Sequence, residues 1–239
     1  MLENILNNKE TVKIDSSALS KNFISNVFSL MFIALGISGI TAFWFYESDA
    51  VMSLISETGG MTGLGWVVMF APLGLVMLMG FGFNKLSIST LMIVFILYSL
   101  LTGMSLSFIF LAYSASSITM TFFITAGTFG TMALLGYTTS TDLTKFGSIL
   151  YMALIGIIIA SLVNWFMQSE GLDYIISILG VLIFTGLTAY DVQKLKRIGA
   201  GVEYDGETKQ KLIIMGALTL YLDFINLFLF LLRLFGSRD

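Results

Sequence analysis

Residues 146–168 read FGSILYMALIGIIIASLVNWFMQ, a stretch without a single Asp, Glu, Lys or Arg. At 1.5 Å of rise per residue, about twenty such residues in a helix cover roughly 30 Å, the thickness of a bilayer's hydrocarbon core. Working outward, comparable apolar runs occur at about 23–46, 64–84, 88–113, 118–138, 174–196 and 208–235. The chain is 56% hydrophobic and only 11% charged, with a mean hydropathy of +0.91, so it has too little polar surface to clothe a water-soluble globule. The expectation is an all-α polytopic membrane protein whose seven helices form one domain over 23–235. A polar segment, 1–22, precedes that domain, and a short tail, 236–239, follows it. The polar start has no apolar core of the signal-peptide kind, so the first span is expected to direct insertion itself.

Two absences narrow the chemistry. The chain has no Cys, which removes disulfides, thiolate nucleophiles and sulfur-ligated zinc. It has no His, which removes Ser-His hydrolysis, imidazole metal ligation and the usual pH switch near neutrality. Proton sensing must then fall on carboxylates. A net charge of -3 and the lack of a basic stripe give no reason to expect a nucleic-acid partner. An enzyme is not expected.

Orientation follows from the Lys and Arg residues, which cytoplasmic loops retain. With the N-terminus inside, ten of the twelve (Lys9, Lys13, Lys21, Lys85, Lys145, Lys194, Lys196, Arg197, Lys209 and Lys211) lie on the inner side. Arg233 and Arg238 lie outside, while the outer loops carry Glu47, Asp49, Glu57, Glu170 and Asp173. Trp44, Trp66 and Trp165 all fall at outer helix ends, where an indole favours the interface. The segment 1–22 is therefore expected to be cytoplasmic. Small residues such as Gly36 and Gly39, Gly80 and Gly82, and Gly127 and Gly130 are expected to let neighbouring backbones approach closely. The sole proline, Pro72, is expected to kink the second helix.

Two acidic residues break the apolar pattern. Asp191 stands in Thr188-Ala189-Tyr190-Asp191-Val192-Gln193 on the sixth segment, and Asp223 in Leu220-Tyr221-Leu222-Asp223-Phe224-Ile225-Asn226 on the seventh. A lone Asp at the centre of a spanning helix costs about 2.5–3.5 kcal/mol to insert, so its presence calls for a partner or a function. The two are 32 positions apart on antiparallel neighbours, so equal depth requires the turn to centre near Glu207. Each arm would then hold about 16 residues, or roughly 24 Å of helix. Two carboxyl groups meeting in a dry site cannot readily both ionise and would share a proton. Losing that proton would leave two negative charges that repel one another and attract a cation. Oxygen ligands of this kind suit Ca²⁺, although two carboxylates are far from a complete Ca²⁺ shell and would make only transient contacts.

At these residues the chain resembles the Bax inhibitor-1, or transmembrane Bax inhibitor motif, family. The stretches that carry the resemblance are Phe184-Thr185-Gly186-Leu187-Thr188-Ala189-Tyr190-Asp191, and Leu220-Tyr221-Leu222-Asp223-Phe224-Ile225-Asn226-Leu227-Phe228 continuing to Leu232-Arg233. Gly82-Phe83-Asn84-Lys85-Leu86-Ser87 and Thr102-Gly103-Met104-Ser105-Leu106 extend it, and the whole looks like a bacterial member of the cytoplasmic membrane. The resemblance implies a central seventh helix wrapped by six others, and a pH-sensitive Ca²⁺ leak whose di-aspartyl sensor maps onto Asp191 and Asp223. It implies a latch from Lys85 to Asp191, with Tyr190, Tyr221 and Asn226 as supporting polar residues. Some members carry an acidic residue within the second helix, where this chain has Gly74.

Three rivals remain beside the leak channel. An intramembrane aspartyl protease also uses two carboxylates sharing a proton, but its second Asp lies in a Gly-x-Gly-Asp motif and its Pro-Ala-Leu motif cannot exist here, Pro72 being alone. A cation- or proton-coupled transporter would use the same carboxylates in a relay, though no inverted repeat is visible. A non-transporting regulator would bind other membrane proteins, or a membrane protease, through its helix faces. The charge distribution yields a direct test of topology in this Cys-free chain. A cysteine placed at Ser237 should be labelled by an impermeant reagent added to intact cells, and protection from the reagent would reverse the assignment of the C-terminus.

Overall fold

The computed structural model describes residues 2–201 and 206–237, with side chains described from Leu19 onward. Lys9, Lys13 and Arg238 of the charge distribution, and much of the segments 1–22 and 236–239, thus lie outside the described side chains or residues. The chain forms α1 (Leu2–Glu47), α2 (Gly63–Gly82), α3 (Ile88–Leu106), α4 (Ala115–Thr138), α5 (Thr144–Met167), α6 (Glu170–Ala200) and α7 (Gly206–Phe235). All seven contain a span long and apolar enough to cross a membrane, beginning in α1 at Leu19. The spans coincide with the apolar runs to within a few residues.

Local chemistry explains the boundaries. Thr62, Ser87, Ser114 and Ser169 each cap the following helix, their side-chain oxygens accepting from Gly65, Thr90, Ser117 and Leu172 backbone N–H groups. The third apolar run, read as 88–113, matches a span Ile88–Ala112, within which the regular helix stops at Leu106 and a separate helical turn, Ile109–Ala112, follows. There the Ser107 N–H is shared between the Gly103 and Met104 carbonyls, and Ser107 Oγ also donates to Met104 O at 2.6 Å. That tightening ends the regular ladder. Pro72 is accommodated inside a continuous α2.

The helices are not equivalent. Within the most apolar window of each span, 61% of residues are buried in α6 and 56% in α7, against 17% in α2 and in α5. The last two face lipid for most of their girth. The central position of α7 holds, with a correction: α7 packs chiefly on α1, α3, α4 and α6, whereas α2 is held by α3 and α5 by α6. A cavity lies between α2, α5 and the central helix as a result.

The glycine expectation is corrected too. A Cβ added at Gly36, Gly39, Gly80, Gly127 or Gly130 would meet nothing within 4 Å, so these glycines do not mediate close helix approach. The close contacts use glycines that show no pairing in sequence. A Cβ at Gly136 would overlap the Ala189 carbonyl, bringing α4 onto α6, and one at Gly103 would reach the Ser38 carbonyl at 2.6 Å, bringing α3 onto α1. Helical spacing marks a common face without saying whether lipid or protein covers it.

At the end of the bundle rich in Lys and Arg, α6 clamps the loop between α4 and α5. Gln193 Nε2 donates to Thr141 O at 2.7 Å while its Oε1 accepts from Leu143 N at 2.9 Å. Arg197 bonds Asp142 Oδ1 at 2.7 Å, and Lys196 Nζ donates to Tyr137 O at 2.7 Å. Hydrogen bonds from Thr144, followed by the Arg197 guanidinium, hold the Asp142 carboxyl well below the usual carboxylate range. A depressed carboxylate contributes its stabilisation above its unfolded pKa and loses it only on strong acidification. The clamp therefore stays charged near neutrality.

The contrast among glycines is testable. Gly136→Val should force α4 from α6 and destabilise the bundle by about 1–3 kcal/mol, as overpacking does. Gly130→Ala should leave thermal unfolding in detergent unchanged. Equal behaviour of the two variants would contradict the packing described here.

Candidate functional site

Register across α6 and α7 builds the site. Gly216 of α7 lies against Leu195 of α6, and Gly180 of α6 lies against Phe230 of α7. Between these contacts Asp223 comes opposite Asp191. The two carboxyl groups are close enough to interact, and they are only 3% and 4% exposed. The pairing allowed by chain length is thus the arrangement adopted, with α6 ending at Ala200 and α7 beginning at Gly206, close to the centre near Glu207 that equal depth requires.

A third residue, which sequence reading missed, completes the pair. Tyr151 of α5 sends its hydroxyl to Asp191, 3.2 Å from Oδ1 and 3.1 Å from Oδ2. Tyr151 lies in the charge-free stretch that reveals the membrane fold, where it reads as one more large apolar-bodied residue. The available signal was its phenol, which in a spanning helix needs a partner or water. Tyr190 supports it from α6: the two rings meet edge to face with centroids 6.0 Å apart, and Gly147 leaves room for the Tyr190 ring.

The other expected residues divide. Tyr221 is fully buried but belongs to a structural bond on another face of α7. Ser38 Oγ donates to Ser99 O at 2.7 Å and so accepts from Tyr221 Oη, also at 2.7 Å, tying α7 to α1 and α3. Asn226 donates to Leu222 O within its own helix at 2.8 Å and lines the cavity beside Asp223. Lys85 is exposed in the turn after α2, and no ion pair joins it to Asp191 among the described residues. The latch that the resemblance implies is not formed in this arrangement, because α2 packs on α3 rather than on α6.

The cavity, about 810 Å³, lies between α2, α3, α5, α6 and α7. It runs along α5 from Trp165 to Tyr151, fourteen residues or roughly 21 Å of helix, with Asp223 in its wall. Asp223 Oδ2 is buried there without a hydrogen-bond donor. At its tryptophan end the cavity shares Ser161, Trp165 and Phe230 with a smaller polar pocket bounded by Asn164, Asp173 and Arg233. Arg233 and Asp173 are paired across that pocket at 3.3 Å.

Comparison with known proteins agrees with the motifs at this site. The family model described as inhibitor of apoptosis-promoting Bax1 matches residues 20–239. The chain is 48% identical over 220 residues to a Borreliella burgdorferi protein, covering 92% of this chain and 94% of that one. It is 47% identical over 219 residues to the inner membrane protein YbhL of Escherichia coli K12, covering 91% and 92%. A Streptococcus pyogenes membrane protein is 30% identical over 235 residues, 97% of this chain and all of that one. With its seven spanning helices, its paired aspartates and a match that reaches across every span, the chain belongs to the Bax inhibitor-1 family.

Proposed function

We propose that this chain is a pH-sensitive calcium leak channel whose gate is the proton-sharing pair Asp191 and Asp223, working without catalysis of any covalent step. The observation that carries the reading is the apposition of two buried carboxyl groups beside a cavity, in a chain that has no His. With one proton shared, the pair bears a single negative charge and stays together. When that proton leaves, two adjacent charges repel in a medium that screens them poorly, and α6 and α7 are pressed apart at this level. The same event creates an attractive site for a divalent cation. A Ca²⁺ ion needs six to eight oxygens, so a pair of carboxylates with Tyr151 nearby suits passage better than storage.

The position of the clamp favours the same reading. Gln193 and Arg197 hold the α4–α5 loop, and Lys196 the last turn of α4, all within two turns of Asp191 on α6. Movement of α6 at the pair would be transmitted to that loop, while Asp142 remains charged throughout the neutral range and supplies no pH response itself. In the charge-derived orientation this end faces the cytoplasm, and Ca²⁺ would arrive from the Arg233 and Asp173 end.

Ca²⁺ flux into proteoliposomes across a pH series, with empty vesicles alongside, tests the proposal. Asp191→Asn and Asp223→Asn should each abolish most of the pH response, and the double variant should add little, because coupled groups titrate as one unit. Tyr151→Phe, which removes the donor and keeps the ring, should displace the pH midpoint while preserving the leak. Independent and additive effects of the two Asn variants would refute the shared proton. Saturable, coupled flux would identify a transporter, and a folded protein without flux would identify a regulator.

A further inference from the structure

We propose that the cavity beside Asp223 binds single-chain lipophilic amines that enter sideways from the bilayer, placing the ammonium at Asp223 and the alkyl chain along α5. The first ground is where the cavity opens. Leu73 in the middle of α2 and Ile158 and Leu162 in α5 line it, yet they are 55%, 51% and 53% exposed, more than an enclosed wall would leave. A wall residue exposed at mid-helix marks a mouth facing hydrocarbon. The mouth exists because α2 packs chiefly on α3 and α5 chiefly on α6. Hydrated ions cannot approach through lipid, whereas a molecule with an alkyl chain can.

The second ground is the chemistry of the wall. Leu73, Val76, Leu154, Ile157 and Phe230 offer an apolar channel suited to a hydrocarbon chain. The lining contains one acidic residue, Asp223, and no Lys or Arg. Asp223 lines the cleft at 4% exposure and its buried Oδ2 lacks a hydrogen-bond partner, so a rotation of this carboxyl would turn an unanswered acceptor into an otherwise oily space. An ammonium brings three N–H donors and the complementary charge. A fatty acid would be repelled, and a neutral alcohol would offer one donor without charge. Tyr98 and Tyr151 face the same space and have hydroxyls but no positive charge to compete. The volume, about 810 Å³, is within the range of small-molecule sites, about 300–1,000 Å³. The inference rests on the aspartate pair keeping one negative charge, as in the reading above, and is independent of whether Ca²⁺ passes.

The test uses the full chain in calcium-free phosphatidylcholine nanodiscs, titrated with radiolabelled dodecylamine, with dodecanol and dodecanoate as comparators. The expected result is saturable binding of one amine per chain, at least tenfold weaker binding of dodecanol, and none of dodecanoate above empty nanodiscs. Asp223→Asn should weaken the amine at least tenfold and leave dodecanol unchanged. Leu73→Trp, placed at an exposed position of the mouth where a larger ring is tolerated, should weaken both amine and alcohol. If Asp223→Asn does not yield folded protein, the amine-to-alcohol ratio on the unaltered chain and the Leu73→Trp variant decide. Equal binding of amine and alcohol would reduce the cleft to a groove for lipid tails and overturn the proposal. Binding that neither variant alters would overturn it as well. Because no Ca²⁺ is present, failure here would leave the leak-channel reading standing, and an absence of Ca²⁺ flux would leave this binding intact, whereas loss of the shared proton would remove the charge on which it rests.

Discussion

Two carboxyl groups held face to face in the bilayer's interior are the constraint on which the rest of this bundle depends. Neither could be buried alone without a substantial cost, and both could not be buried ionised. Bringing them together solves the problem only if the register of α6 against α7 is fixed. Gly180 and Gly216 fix it, since each accepts a large side chain of the opposite helix, Phe230 and Leu195, where a Cβ would intervene. Tyr151 then reaches across from α5 to both Asp191 oxygens. The most buried pair of helices in the chain is thus the pair that carries the charge.

The remaining helices divide according to what they must do for that core. The α1, α3 and α4 helices close around it by direct backbone approach, at Gly103 on Ser38 and at Gly136 on Ala189, and the buried Tyr221–Ser38–Ser99 bonds add direction to the packing. The α2 and α5 helices do the opposite. Each is secured on one side and presents large apolar residues to lipid on the other, and a cavity reaching Asp223 remains between them. Lipid as solvent makes this affordable, because in hydrocarbon an exposed Leu or Ile incurs no penalty and an open cleft does not drive collapse as it would in water. A bundle of the same helices in water would close the gap.

Chemistry is confined in the same way. The basic end of α6 forms exposed ionic and hydrogen bonds that stay intact across neutral pH, whereas the carboxyl pair lies one to two turns deeper, where water does not screen it. The charged clamp and the buried carboxyl pair therefore sit on the same helix in different surroundings. The absence of a Lys85 contact to Asp191 indicates that any control exerted from α2 would require that helix to move.

The sequence by itself determined that the chain crosses a membrane seven times, because about twenty uncharged residues have one stable conformation in hydrocarbon, and each span matches an apolar run. It also singled out Asp191 and Asp223, because charge is conspicuous in such runs. Whether they met was decided by tertiary structure, since the turn position alone allowed pairing without requiring it. Tertiary structure also chose Tyr151, which sequence could not separate from other aromatics. It chose Gly103 and Gly136 over the periodic Gly36–Gly39 and Gly127–Gly130 pairs, because in a membrane lipid-facing and protein-facing surfaces have nearly the same composition. Hydropathy finds a helix there but does not say which way it faces, and only packing decides that.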